Sequence, residues 1–236
     1  MKSRYGGAFR AKRTAAVMLF SVCGLAHADA NNPYSLSPQW EQWQLSIPAS
    51  VNPALVTTDP SRETCAIGQS GPVWFLAGVF GGGTATRNCQ VPDNVSLLFP
   101  VINYVNINTP NVCGQGPTNI PVGQLRAPAK AFIDGASDLS VQLDGRPVGM
   151  QRIVSATFAV ALPLGNIFDS PCVAAGLGSV PGGVYSPAVD DGYYSLLYPL
   201  KAGNHTLRIK AKNTSQNFSL DVTYILTVVD VHVGNY

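Results

Sequence analysis

The chain has 236 residues, 46% of them apolar and only 12% charged, with 23 Gly and 18 Pro. That composition supplies a sizeable core and excludes a disordered or collagen-like chain. The net charge of +2 is uneven: five of the fifteen Lys and Arg lie in the first thirteen residues, and the other ten face thirteen Asp and Glu, which argues against a nucleic-acid binder.

Lys2, Arg4, Arg10, Lys12 and Arg13 form a positive N-terminal region. Residues 14–25 follow as an apolar run, shorter than the roughly twenty residues of a membrane-spanning helix. Ala26-His27-Ala28 then gives a small-x-small cleavage pattern, with Ala28-Asp29-Ala30 as an alternative. Residues 1–28 are thus predicted to be a cleaved signal peptide, leaving a secreted or periplasmic protein with no membrane span. Val22 before Cys23 does not fit a lipoprotein, and Lys12-Arg13 is not a twin arginine.

Export makes the remaining cysteines read as disulfides. Cys65, Cys89, Cys113 and Cys172 are even in number and allow three pairings. Cys65 with Cys89 and Cys113 with Cys172 is favoured, because the first pair brackets a Gly-rich region and the second ties two long loops. A zinc site lacks any C-x-x-C, and only His205 and His232 survive cleavage.

Along the mature chain, Ser37-Pro38 reads as an N-cap followed by Pro at the first helical position. Trp40, Trp43 and Ile47 give that helix one apolar face, and Pro48 stops it. Residues 49–72 read as irregular. Residues 73–80 are an apolar run of strand length; Gly81-Gly82-Gly83 turns the chain, and residues 84–89 return as the partner strand. Residues 96–99 and 101–107 read as two strand pieces broken at Pro100. After an Asn-, Gly- and Pro-rich loop over 108–121, Leu125, Ala129, Phe132 and Ile133 mark a second helix ended by Gly135.

Leu139, Val141 and Leu143 alternate up to Asp144-Gly145, a strong hairpin signal. Phe158, Val160 and Leu162 alternate as well, whereas residues 163–191 show no pattern. A strand is predicted over 193–200. His205 to Ala211 and Phe218 to Val228 alternate around short turns, which argues for an antiparallel sheet with one buried face. The predicted fold class is mainly β: an antiparallel β-sandwich, immunoglobulin-like or jelly-roll, with two short helices and a single domain over residues 29–236.

Motifs for chemistry are sparse. Gly68-Gln69-Ser70-Gly71 fails as a nucleophile elbow because Pro72 stands where Gly is required. His205 reads as a strand residue paired across a hairpin. No H-E-x-x-H or calcium-loop pattern occurs, so no metal or cofactor is predicted. Gly81-Gly82-Gly83-Thr84 lacks the Lys of a phosphate loop and reads as a turn. The tyrosines are more informative, since aromatic rings beside Asp and Asn can hold a sugar. Tyr104, Asp190, Asp191 and Tyr193 are the predicted ligand contacts, read as loop aromatics and acids near strand ends.

Five stretches also carry a resemblance. They are Gly71-Pro72-Val73-Trp74-Phe75-Leu76-Ala77-Gly78, Leu97-Leu98-Phe99-Pro100-Val101-Ile102-Asn103, Asp191-Gly192-Tyr193-Tyr194, Gly203-Asn204-His205-Thr206-Leu207 and Asp221-Val222-Thr223-Tyr224-Ile225-Leu226-Thr227-Val228. Together, over roughly residues 37–229, they resemble an uncharacterised family of exported bacterial proteins. The last stretch also resembles the closing hairpin of immunoglobulin-like secreted modules. The resemblance implies export and a single domain, and no activity.

The functional expectation is an exported binding module whose ligand is a carbohydrate or another cell-surface component. Two alternatives stand beside it: a secreted polysaccharide hydrolase using paired Asp residues, and a structural or assembly protein of the cell surface.

Overall fold

A computed structural model describes residues 33–59 and 62–231. The predicted signal peptide over residues 1–28, including Cys23, and His232 lie outside the described residues. The elements in chain order are α1 (Pro33–Leu45), β1 (Thr58–Asp59), β2 (Val73–Phe75), β3 (Gly83–Pro92), β4 (Ser96–Ile107), α2 (Val122–Asp134), β5 (Ser137–Leu143), β6 (Arg146–Pro147), β7 (Gln151–Val154), β8 (Phe158–Leu162), α3 (Asp169–Ala174), β9 (Gly183–Leu197), β10 (Gly203–Asn213) and β11 (Phe218–Val229). Among the described residues, no helix is long and apolar enough to cross a membrane.

Among the described residues, the strands form two sheets and no closed barrel. One runs β1-β3-β11-β10-β5-β6; the other runs β2-β4-β9-β7, with β8 paired to the opposite end of β9 from β7. The pairing is mixed rather than purely antiparallel, because β1–β3, β3–β11 and β2–β4 are parallel. This corrects the glycine-turned hairpin. Gly81-Gly82-Gly83 carries the chain from one sheet to the other, and β3 pairs with β11 instead of β2. Gly82, at φ +89°, could not bear a Cβ: it would lie 2.8 Å from the Ser219 carbonyl oxygen.

The five-stranded sheet packs on both faces, and its central strands show how. Leu97, Phe99 and Val101 of β4 join β3, β10 and β11 side chains in one apolar cluster, whereas Leu98 joins α1 in another. The register shifts between Pro100 and Ile102, a bulge that reverses which residues face which layer. Beyond it, Asn103 and Val105 face the α1 side, and Tyr104 faces α2 and β11. Pro100 therefore bulges one continuous strand and does not divide it.

α1 begins at Pro33 and carries Pro38 inside it, so Ser37 is a buried helical residue and not the N-cap. Trp40 and Trp43 of its predicted apolar face are buried; Ile47 is buried too but lies past the helix end at Leu45, which comes before Pro48. The Asn52 side chain donates to the Gln44 and Ile47 carbonyls, satisfying backbone acceptors where the helix ends. The favoured disulfide pairing is present, with Cα–Cα distances of 5.6 Å for Cys65–Cys89 and 5.4 Å for Cys113–Cys172. Each layer holds one of them, the first in the sheet–sheet cluster and the second on the α1 side.

Candidate binding cleft

β2 pairs with β4 only from Ser96 to Leu98, and among the described residues no strand continues along that edge. The Asn108 N–H donates to the Pro187 carbonyl of the opposite neighbour. Alternation then turns the N–H and C=O groups of Asn103, Val105 and Ile107 away from β9, toward the open edge. Ile107 N–H is met by the Asn106 side chain at 3.1 Å. Asn103 and Val105 lie at the floor of a cleft of about 350 Å³.

Trp40, Glu41, Gln44 and Leu45 of α1 form one wall of this cleft. Tyr104, Phe132 of α2, and Phe218 and Leu220 of β11 form the other. Phe168 and the segment 78–81 complete it. The rings are organised: Tyr104 and Phe132 have centroids 5.2 Å apart, and Phe132 and Phe218 meet edge-on at 5.4 Å. Phe80 and Phe168 meet edge-on at 5.8 Å.

The 76–80 segment has little regular structure yet is firmly tied. Trp40 Nε1–H donates to the Leu76 carbonyl at 2.9 Å. Buried Arg87 of β3 donates to the Ala77 and Gly78 carbonyls at 2.8 and 2.9 Å, and also to Tyr224 OH and the Val56 carbonyl. Tyr224 OH donates to the Ala77 carbonyl at 2.6 Å. In residues 76–80, expected to continue a strand, Leu76, Ala77 and Gly78 instead give their carbonyls to these side chains.

Glu41 is 1% exposed and Asp190 0%, and they lie against each other between α1 and β9. Asn103 Nδ2 donates to Glu41 Oε1 at 2.7 Å. Burial pushes the Glu41 carboxyl well above its usual range, and the Asp190 charge pushes it further, against the Asn103 hydrogen bond. Burial likewise raises Asp190 to about 7, although Tyr194, Ser37 and Glu41 pull it down. These three groups are near enough to affect its titration, yet none meets either Asp190 oxygen at well-formed hydrogen-bond geometry. Ser37 Oγ, Tyr194 OH and both Asp190 oxygens thus make no well-formed hydrogen bond. Two carboxyls in contact in an apolar setting cannot both ionise cheaply, and burial favours the protonated form of each.

Gly192 makes the arrangement fit. A Cβ there would lie 2.7 Å from Asn103 Cβ and 2.8 Å from a Tyr194 ring carbon, so only Gly lets β4 and β9 approach where Asn103 reaches Glu41.

Of the four predicted ligand contacts, Tyr104 lies on the cleft wall, 36% exposed. The other three are not on loops. Asp190, Asp191 and Tyr193 lie within β9, which begins at Gly183 inside the stretch read as unpatterned. Asp190 is buried behind Glu41. Asp191 and Tyr193 point to the opposite face, where Asp191 accepts from Arg152 at 2.9 and 2.8 Å and Tyr193 packs on the sheet–sheet core. Asp190 and Asp191 therefore cannot act as one carboxylate pair from the same face.

Sequence reading missed Glu41, Asn103, Ser37 and Tyr194. One signal was available: Glu41 sits between Trp40 and Trp43 and one turn after Ser37, so it falls on or beside the apolar helix face. Among the described residues, no group of three or more His, Cys, Asp or Glu is placed to hold a metal ion. His205 Nδ1 and Asp144 Oδ2 lie 2.7 Å apart across the β5–β10 edge, in a hairpin-side contact. Comparison of the chain with family models, curated proteins and solved structures returns no match.

Proposed function

We propose that the protein is an exported binding module: a disulfide-stabilised β-sandwich of immunoglobulin-like or jelly-roll type that takes its ligand in the cleft along β4. The observation that carries this reading is the cleft itself. Its walls are aromatic, its volume is about 350 Å³, and α1, the arginine-held 76–80 segment and the bulged strand fix its shape. A preorganised, largely apolar concavity with a few polar groups is the ordinary form of a ligand site. Two disulfides suit an oxidising compartment, and the predicted signal supplies the route there.

Tyr104 on the cleft wall suits stacking on the apolar face of a sugar or of another cell-surface component. The test exposes mature, oxidised protein to insoluble polysaccharides and purified cell envelopes, and measures its loss from solution and any soluble products together. Loss without products, reduced by Tyr104→Ala, is the expected result. Products accumulating with time would replace this reading with a hydrolase.

A further inference from the structure

We propose that the cleft is selective for an organic cation, an amphipathic amine whose ammonium head meets Glu41 while its apolar body lies against Trp40, Phe80 and Tyr104. The inference rests on the cleft being the ligand site and adds the chemical class of the ligand.

No Lys, Arg or His lines the cleft; Glu41 is its one acidic residue. Behind Glu41 stands Asp190, and among the described residues no basic side chain pairs with either. The contrast with the other face of β9 is direct, because there Asp191 has the Arg152 guanidinium at 2.8 Å. A buried carboxylate without a cation is costly, and an incoming ammonium would compensate it. Asp190, Ser37 and Tyr194, all more than nine-tenths buried, stand together behind Glu41 and bring it no cation. Aromatic walls add attraction for a cation through their ring faces. The carbonyls of Asn103 and Val105, turned to the open edge, are further acceptors for ammonium N–H groups.

Binding exchanges one proton. The protonated Glu41 carboxyl releases its hydrogen to solvent, and the carboxylate left behind accepts a hydrogen bond from the ammonium. The titratable groups facing Glu41 are Asp190 and Tyr194 of β9. β4 contributes the neutral Asn103, β8 contributes no titratable group, and Arg152 of β7 is engaged by Asp191 and Asp134.

The test is calorimetric titration of the mature protein with phenethylammonium and with its neutral counterpart, phenethyl alcohol, in buffers of different ionisation enthalpy. The amine should bind at least about tenfold more tightly than the alcohol, the scale of one charge-assisted hydrogen bond. Its heat should vary with the buffer, and the alcohol's should not. Glu41→Gln should bring the amine down to the alcohol's affinity, with circular dichroism and a cooperative thermal melt showing that the variant is folded. Equal affinity for the two probes, or an amine affinity unaffected by Glu41→Gln, overturns the cation proposal and leaves the cleft as a ligand site. A buffer-independent heat for the amine overturns the proton exchange. Failure of both probes to bind overturns this proposal, while the cleft reading stands or falls separately on depletion onto polysaccharides and envelopes and its loss in Tyr104→Ala.

Discussion

Asp190 and Asp191 are neighbours on one strand, and both are buried, yet their surroundings differ in kind. Asp191 faces α2 and the sheet–sheet side, where Arg152 meets it with two hydrogen bonds and reaches Asp134 as well. Asp190 faces α1, where its companion is a second carboxyl and its titration is lifted to about 7. One face of the five-stranded sheet neutralises its acid with a fixed cation, and the other holds its acid beside a second carboxyl where burial favours the protonated forms. A fixed ion pair contributes to stability and orientation, whereas a buried carboxyl pair beside a cleft can change its charge when something binds.

Several experiments break or sharpen that contrast. The largest effect should come from unlinking either layer. Replacing both Cys113 and Cys172 by Ser should destabilise the protein by about 3–4 kcal/mol in chemical denaturation. The corresponding change at Cys65 and Cys89 should cost about 0.8 kcal/mol less, because its loop is shorter, with a separation of 24 against 59. Equal costs would show that loop closure does not govern the difference.

Next come the two aspartates. Arg152→Ala strips Asp191 of its cation and should cost about 2 kcal/mol, moderated because Arg152 is partly exposed. Asp190→Asn removes no cation contact and should change stability at neutral pH by less than about 1 kcal/mol. A large loss from Asp190→Asn alone would mean that the carboxylate itself holds α1 in place.

The pH dependence follows from the same pair. Asp190 and Glu41 are raised in the folded state, so between their unfolded and folded values the native protein binds more protons than the unfolded chain. Stability should therefore rise as pH falls from about 7 toward 4, by an amount on the order of 1–3 kcal/mol. Asp190→Asn should flatten that slope in thermal melts across the range.

The smallest effect belongs to His205, raised by its hydrogen bond to Asp144. Its contribution should be present in full below about pH 6.5 and lost as pH rises through the folded value. On so exposed a pair it amounts to at most about 0.5 kcal/mol, read as the difference between wild type and His205→Ala at acidic and alkaline pH.

The legible parts of the fold are those with one wet face. β5, β10 and β11 alternate in sequence because their outer side chains meet solvent, and the Asp144-Gly145 hairpin joins β5 to β6 as expected. β9 is packed on both sides for most of its length, so no alternation marks it, and its adjacent acids read as a loop. Their burial depends on Arg152 and Glu41, partners far away in sequence. The β3–β11 ladder joins distant parts of the chain, which no local turn signal reveals. Within the cleft, Tyr104 was accessible to reasoning from residue type. Glu41 carries only its place beside the apolar face of α1 as a signal, and its role depends on the packing of α1 against β4 and β9.

The central claim is that the cleft is where this protein meets its ligand. Filling it with Val79→Trp, a change on the cleft wall beside the arginine-held carbonyls, and comparing that variant with wild type for depletion onto cell envelopes and polysaccharides tests it most directly. Wild type should leave solution and the filled variant should remain, with no soluble product from either. Equal depletion of the two, or retention of wild type in solution, would contradict it.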